Sequence, residues 1–170
     1  MNLTFLTIAT KEEVFNKVEN YLLTCNLAIA NKDQNRPWGG FFVIDEKDTD
    51  TFIKSFFADV AKKINTSNKL SPKILIVAPN KRLSWQYHFR RAEIWKLIGG
   101  TAGVVTSDSD EEKETTNLVP GDIIELRQGE RHRLIGLEGW GIVAEIWQHT
   151  NADHPSDEDD IVRLQDDFGR

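Results

Sequence analysis

The fold of this chain is decided between residues 74 and 106, which read ILIVAPNKRLSWQYHFRRAEIWKLIGGTAGVVT. Short runs of β-branched and aromatic residues alternate there with turn signals, as is typical of β-strands. The pattern continues in DIIEL (122–126), HRLIG (132–136) and GIVAEIW (141–147). We expect turns at Ala78-Pro79-Asn80, Gly99-Gly100, Val119-Pro120-Gly121 and Glu138-Gly139. Strands at this spacing predict a closed barrel or double sheet, because closure protects the edges of a sheet.

Two amphipathic helices are predicted before these strands. Thr10 and Glu13 form a capping box for a first helix that reaches Cys25. A short strand is expected at 41–44, and apolar residues at helical spacing predict a second helix from Thr49 to Asn65. We expect both helices to pack against the barrel or against a partner in a homodimer.

Composition narrows the class of protein. The chain has 170 residues, of which 39% are apolar and 28% charged, as expected for one globular domain. Its net charge of -6 makes nucleic acid and anionic membranes unexpected partners. Cys25 is the only cysteine, so no intrachain disulfide can form. Because no apolar run is long enough to span a membrane and the start lacks an export signal, we expect a cytoplasmic protein.

The predicted layout is a single domain over residues 1–170. Residues 1–70 add helices and a strand, residues 71–149 form the barrel core, and residues 150–170 form a tail. The acidic part of the tail, Asp153 to Asp160, is expected to be partly mobile. His149 and His154 are expected at the surface because their sequence neighbours are polar.

A cluster of potential metal ligands lies in the middle of the decisive stretch. Gln86 and His88 are two residues apart, so on a strand both side chains point to the same face, which a barrel would turn inward. A hairpin turn would bring Glu93 back beside them, and His132, which opens a later strand, is the natural fourth member. Such a set suits a divalent ion of the zinc, manganese, iron or nickel type. The alternative from the residues alone is a polar network inside the barrel.

Three segments of the chain resemble the cupin domain of type II mannose-6-phosphate isomerases. They are Arg36-Pro37-Trp38-Gly39 with Val43-Ile44-Asp45-Glu46, then Leu83-Ser84 through Trp95, and finally Glu158-Asp159-Asp160-Ile161-Val162-Arg163 with Asp166 and Gly169-Arg170. The resemblance implies an all-β fold, the cupin double-stranded β-helix or jelly roll, with the two helices added in the N-terminal third.

The resemblance also implies the roles of individual residues. The family's glutamine, histidine and glutamate ligands correspond to Gln86, His88 and Glu93, and its second motif makes His132 the fourth ligand. Arg133 corresponds to the residue that faces the substrate, with a catalytic role, while Lys73 and Ser84 are candidates for phosphate or hydroxyl contacts. Zinc is the first choice of metal, with manganese, iron or nickel as alternatives.

The chain departs from the family pattern at several positions. Phe89, Arg90 and Ile94 stand where the family has histidines, and Arg127 replaces a proline of the second motif. No departure removes a ligand, so the differences affect the substrate pocket more than the metal.

The implied reaction is aldose–ketose isomerisation of a sugar phosphate, with mannose 6-phosphate and fructose 6-phosphate as the first guess. Several family members carry a nucleotidyltransferase domain before the cupin domain. Residues 1–70 contain no Gly-rich phosphate loop, so we do not expect this chain to make nucleotide sugars.

Two other classes of function stay open. A sugar-binding or regulatory cupin would keep the metal without turnover, and a different metal-dependent enzyme, such as an oxygenase or epimerase, is the third possibility. An isomerase of sugar phosphates needs cations around the metal, and six are available: Lys73, Lys81, Arg82, Arg90, Arg91 and Arg133. If most of them pointed outward into solvent, the binding protein would be favoured.

Overall fold

The computed structural model describes residues 8–169. The first seven residues and Arg170, which belong to the predicted layout and to the resemblance, lie outside the described residues. Two helices form in the described range, α1 (Lys11–Thr24) and α2 (Thr49–Phe56). The nine strands are β1 (Ile29–Asp33), β2 (Gly39–Ile44), β3 (Leu70–Val77), β4 (Trp85–Tyr87), β5 (Arg91–Ser107), β6 (Thr116–Leu118), β7 (Ile123–Leu126), β8 (Arg131–His149) and β9 (Val162–Gln165). No helix within residues 8–169 is long and apolar enough to cross a membrane.

The long strands β5 and β8 pair with each other and organise all the rest. Strands β3, β2 and β1 extend the sheet from the second half of β8, and β7 adds to the first half of β5. Strands β4 and β9 extend from the first half of β8, and β6 adds to the second half of β5. The two halves form facing sheets, since one apolar cluster contains residues from both. The predicted cupin jelly roll is therefore confirmed.

Two of the predicted turns are wrong, because β5 and β8 bend where the sequence suggests that they end. The Gly99-Gly100 and Glu138-Gly139 pairs lie inside continuous strands, and the pairing register shifts beside Gly100. Gly100 has φ +71°, and a Cβ atom there would lie 1.7 Å from the carbonyl oxygen of Trp140. Glycine thus lets the two strands bend together and pass from one sheet to the other.

The helices cover the outer face of the larger sheet. The predicted capping box at the start of α1 is confirmed: Thr10 Oγ1 accepts from the Glu13 amide, and the Glu13 carboxylate accepts from the Thr10 amide. The second helix is shorter than predicted and ends at Phe56, followed by a 3-10 segment. Phe56 and Phe57 are both buried, and because adjacent helical residues point about 100° apart, the chain leaves the α-helical path to bury both.

Two apolar cores result from the alternation of side chains along the strands. Ile74 and Ile76 of β3 point outward and pack under the helices, whereas Leu75 and Val77 point into the barrel. Lys73 shares the inward face with Leu75, because the side-chain period of a strand is two. The barrel interior is therefore apolar at one end and polar at the other, and the polar end holds the candidate site.

Candidate metal centre

Three strands deliver the four predicted ligands to one place in the barrel. Gln86 lies on β4 and is paired with His132 at the start of β8, so the two residues are cross-strand neighbours. His88 follows β4, and Glu93 lies two residues into β5. All four residues are buried, with 9% or less of their surface exposed.

The spacing of the ligand atoms matches a coordination sphere. His88 Nε2 lies 3.3 Å from Glu93 Oε1, and His132 Nε2 lies 3.5 Å from Glu93 Oε2. The side-chain amide nitrogen of Gln86 lies 3.4 Å from His88 Nε2, and its oxygen accepts a hydrogen bond from Ser84. Ligand atoms held tetrahedrally about 2.0–2.1 Å from a zinc ion are roughly 3.3 Å apart. A flip of the Gln86 amide would turn its oxygen toward the other ligand atoms.

Hydrogen bonds on the far side of each imidazole fix its tautomer. His88 Nδ1 donates to the carbonyl oxygen of Asp160 at 2.6 Å, and His132 Nδ1 donates to the carbonyl oxygen of Glu130 at 2.9 Å. A carbonyl can only accept, so each Nδ1 carries the proton and each Nε2 keeps its lone pair. Nε2 of His132 is buried and has no hydrogen-bond partner in the described part of the chain. An ion at the cluster would satisfy this atom, so the residues present fit a metal.

The electrostatics of the cluster favour the same protonation states that a metal requires. Burial lowers the pKa of His88 to about 3 and also lowers the pKa of His132, so both imidazoles are neutral at neutral pH. Burial alone would raise the pKa of Glu93, but the charge and hydrogen bond of Arg91, together with the neighbouring His88 and His132, outweigh it, and the Glu93 pKa falls below its usual value. Neutral imidazoles and an ionised carboxylate are the forms that bind divalent ions. This buried His-Glu-His cluster could hold one.

Arg91 is the cation closest to the cluster. Its Nε donates to Glu93 Oε1 at 2.6 Å, and its Nη2 donates to His88 Nε2 at 3.0 Å. Sequence reasoning counted Arg91 only as a nearby cation. The signal was present, since Arg91 and Glu93 are two residues apart on β5 and so share its inward face.

A cavity of about 250 Å³ adjoins the cluster through Gln86, Arg91 and Trp95. Its wall carries aromatic rings, cations and carboxyl groups together, so it combines apolar surface with a few polar groups, as ligand sites do. These further lining residues include Trp38, Phe41, Trp147, Arg36, Lys73, Arg163, Glu145, Glu158 and Asp159.

Glu145 is a buried carboxyl group of the cavity wall that is not among the predicted ligands. Trp95 Nε1 donates to Glu145 Oε1 at 2.9 Å and to Glu93 Oε2 at 3.0 Å, so one indole joins the two carboxyl groups. Burial first, and then the negative charge of Glu93, raise the pKa of Glu145 to about 8. Sequence reasoning missed Glu145, although it alternates with Trp147 on the inward face of β8.

The predicted substrate residues fall in different places. Lys73 and Ser84 line the cavity. Arg133 does not reach it, because it follows the inward-facing His132 and therefore points to the outer face of β8. There it is fully buried, and its Nη1 donates to Glu112 at 2.8 Å. The substrate contact predicted for Arg133 has no support in this geometry.

The other predicted cations are also divided. Lys81, Arg82 and Arg90 do not line the cavity. Arg82 pairs with Asp167 at 2.6 Å, and Arg90 pairs with Asp157 at 3.1 Å. Lys73 and Arg91 remain from the predicted six, and Arg36 and Arg163 join them as cavity cations that sequence reasoning did not select.

The end of the chain is part of the site. We call residues 150–169 the C-terminal strap. Asp160 is buried and its carboxylate accepts from the amides of Phe89 and Arg90, both at 2.9 Å, which holds the segment after β4 in place. The expectation of a mobile segment up to Asp160 is therefore wrong for this residue, since its carboxylate caps buried amides.

His149 is buried, not exposed as predicted. Its Nδ1 accepts from the Ser156 amide at 2.9 Å, and its Nε2 lies 2.8 Å from the Ser71 hydroxyl. The strap folds back over β8 and covers this histidine. His154 is exposed, in agreement with the prediction.

Comparisons with known proteins identify the family and the fold of this chain. A family model described as mannose-6-phosphate isomerase C-terminal matches residues 57–166. A mannose-1-phosphate guanylyltransferase of Salmonella montevideo is 26% identical over 142 residues. The match covers 84% of this chain but only 24% of that relative, so the chain spans about a quarter of the relative's length.

Solved structures show the same fold. A mutant of the oxalate decarboxylase from Bacillus subtilis superposes with a TM-score of 0.57 at 15% identity, covering 79% of this chain and 30% of that one. Vicilin from hazelnut (Corylus avellana) superposes with a TM-score of 0.53 at 17% identity, covering 81% of this chain and 36% of that one. At such identities the likeness concerns the cupin fold alone. The family model matches more than half of the chain, and this protein therefore belongs to the mannose-6-phosphate isomerase C-terminal family.

Proposed function

We propose that this protein is a metal-dependent aldose–ketose isomerase of a sugar phosphate, with mannose 6-phosphate and fructose 6-phosphate as the first candidates and zinc as the first candidate metal. One observation carries the proposal: Glu145, a carboxyl group with a raised pKa, lines the cavity, and the Trp95 N–H that bonds it also bonds Glu93 of the metal-type cluster. Isomerisation needs these two elements together, an acid–base group and a site that stabilises negative charge on oxygen.

The reaction moves a proton between C2 and C1 of an open-chain sugar. A divalent ion held by His88, Glu93 and His132, with Gln86 as the fourth ligand, would polarise the sugar carbonyl and hydroxyl oxygens. The guanidinium of Arg91 lines the cavity beside these ligands and adds a fixed positive charge next to those oxygens.

Glu145 carries the proton in this proposal. As a carboxylate it takes the proton from C2 of the aldose, and as a carboxylic acid it returns that proton to C1 of the ketose. The hydroxyl proton passes between the two sugar oxygens in the same exchange. Burial, the largest cause of its raised pKa of about 8 in the metal-free protein, also acts when an ion is bound, and a raised carboxyl pKa suits a group that must both take and return a proton.

A second function is favoured by one observation. Four of the six cations considered in the sequence, namely Lys81, Arg82, Arg90 and Arg133, do not line the cavity. A metal-containing cupin that binds a sugar without turning it over would need fewer cations. Arg36 and Arg163 take the place of the missing cations in the cavity wall, so the isomerase stays the first proposal.

Metal analysis and a coupled assay separate the two functions. The purified protein is assayed with mannose 6-phosphate in D2O, with and without chelator, and the product is examined by NMR. An isomerase yields fructose 6-phosphate and chelator stops its formation, while the deuterium found at C1 measures how far the proton on Glu145 exchanges with solvent during turnover. Stoichiometric metal and ligand binding without turnover on any hexose or heptose phosphate would reject the isomerase and leave the binding protein.

A further inference from the structure

Lys73 is a buried ammonium group at the inner wall of the cavity. It lies on the inward face of β3 and is 5% exposed. Its Nζ lies 3.5 Å from the centre of the Trp147 ring and 5.2 Å from the centre of the Phe41 ring. Aromatic faces attract a cation but do not replace the hydrogen bonds that an ammonium loses on leaving water.

The hydrogen bonding of this ammonium is incomplete. Within residues 8–169, Lys73 Nζ has one hydrogen-bond partner, the carboxylate of Glu158 on the C-terminal strap. An ammonium has three donors, so two remain available. The Lys73 ammonium can therefore bind more anionic oxygens than the one that Glu158 supplies.

Glu158 is held far less firmly than its partner. Its side chain is 65% exposed, although Lys73 is almost completely covered. The backbone on either side is anchored: Ser156 accepts from Arg91 at 2.8 Å, and Asp160 caps the amides after β4. The Glu158 side chain can therefore swing into solvent while the strap stays in place.

The cations around Lys73 extend the site toward the metal cluster. The guanidinium carbon of Arg91 lies 3.5 Å from the centre of the same Trp147 ring that Lys73 contacts. Arg36 lies 5.6 Å from the centre of the Phe41 ring, which Lys73 also contacts. Arg36, Lys73 and Arg91 all line the cavity, so two further cations lie one aromatic ring away from the Lys73 ammonium.

We propose that Lys73 is the docking point for the phosphate group of the ligand, and that Glu158 is an internal anion that this phosphate displaces. The proposal rests on the proposed function, because that function supplies the phosphorylated sugar. A phosphate monoester carries more charge than a carboxylate and offers three terminal oxygens, so it can use the donors that Glu158 leaves idle. A neutral sugar carries no charge that could replace Glu158, so it would leave the pair of Lys73 and Glu158 intact.

Binding measurements on four variants test the proposal. Mannose 6-phosphate and mannose are titrated by calorimetry into wild type, Glu158→Gln, Lys73→Met and the double variant. We expect Glu158→Gln to tighten mannose 6-phosphate about five- to tenfold and to leave mannose unchanged, because only the anion competes with Glu158. Lys73→Met should remove the preference for the phosphorylated sugar, and adding Glu158→Gln to it should have no further effect.

Asp159→Asn is the matched control, because it removes a neighbouring charge that also lines the cavity. Its effect on mannose 6-phosphate should be at least threefold smaller than that of Glu158→Gln. Equal tightening by both variants would overturn the proposal in favour of general electrostatics, and so would an unchanged affinity of Glu158→Gln. Circular dichroism verifies the fold of each variant. If the affinities follow the predicted pattern but the protein shows no turnover, the isomerase is rejected and the phosphate site stands. If the protein turns over its substrate but the affinities do not follow this pattern, the phosphate site is rejected and the isomerase stands.

Discussion

At the scale of single residues, the unsatisfied Nε2 atom of His132 is the strongest sign of an absent ligand. The atom is buried beside Glu93, and its ring is oriented by a hydrogen bond from Nδ1 to a backbone carbonyl. A buried acceptor without a partner costs free energy, and no described residue satisfies this one. A bound ion would explain it.

Replacing His132 with alanine should therefore lower metal occupancy. We expect zinc content, measured by atomic spectroscopy after dialysis against micromolar zinc, to fall from about one ion per chain to well below that value. His154→Ala, at an exposed position outside the cavity, should keep the full content. Unchanged zinc in the His132 variant would show that this residue is not a ligand.

Glu145 makes a prediction about pH and stability in the metal-free protein. Its folded-state pKa of about 8 lies above the ordinary value of 4.5, so the folded state keeps a proton that the unfolded state releases. Stability from this group is complete below pH 4.5 and is lost as the pH rises toward 8, by about 1.4 kcal/mol per pH unit. Glu145→Gln should flatten this decline, as measured by urea unfolding in chelator between pH 5 and about pH 9.

Glu125→Gln serves as the control for Glu145→Gln, because Glu125 is an exposed carboxylate paired with Lys63. It should leave the slope of stability against pH unchanged. If the free energy of unfolding falls equally with pH in wild type and in Glu145→Gln, Glu145 is ionised in the folded protein. The role of proton carrier would then lose its main electrostatic support.

At the scale of secondary structure, features that depend on neighbouring residues were predicted well, and features that depend on contacts between distant residues were not. The start of α1 follows from Thr10 and Glu13 alone, since a capping box involves residues only three apart. The inward face of β4 follows from the two-residue spacing of Gln86 and His88. The bend in β5 does not follow in this way. A Gly-Gly pair such as Gly99-Gly100 is equally suited to a turn and to a bent strand that passes between sheets, so the sequence does not distinguish the two.

The candidate site was also predicted in part, since the four candidate ligands were found and Glu145, which depends on strand pairing, was missed. Strand alternation and family resemblance selected Gln86, His88, Glu93 and His132, and the structure brings all four together, although their binding of an ion stays a prediction. Glu145 was missed because its place beside Trp95, which is 50 positions away in the chain, depends on the pairing register of β5 and β8. Arg133 was selected by resemblance alone, and strand alternation turns it outward.

The bend of β5 can be tested at Gly100. A Cβ atom there would lie 1.7 Å from the Trp140 carbonyl oxygen, in addition to the cost of a positive φ. Gly129 has nearly the same φ, +78° against +71°, but a Cβ atom at Gly129 would have nothing within 4 Å of it. We expect Gly129→Ala to cost about 1 kcal/mol in free energy of unfolding and Gly100→Ala at least about 3 kcal/mol. Equal costs in urea unfolding would mean that the backbone at Gly100 moves aside easily.

At the scale of the whole molecule, the candidate metal centre lies where separate parts of the fold meet. The ligands come from β5, from the start of β8 and from β4 with the residue after it, and the strap binds both His88 and Arg91. The helices are remote from this arrangement, because they pack on the outer face of the larger sheet. The molecule thus separates a core that supplies stability from a polar barrel end that supplies chemistry.

This arrangement predicts that metal binding stabilises the entire fold. An ion that binds only the folded state at a concentration about 1,000 times its Kd adds about 4 kcal/mol, which for a chain of this size raises Tm by roughly 10 °C. Calorimetric scans of wild type in zinc and in chelator should show this difference as one cooperative transition. His132→Ala should show little or no shift, because its folded state lacks one of the proposed ligands and binds the ion weakly. An equal Tm for wild type in zinc and in chelator would mean that Arg91 already satisfies the cluster as the resident cation, and the metal would have to be abandoned.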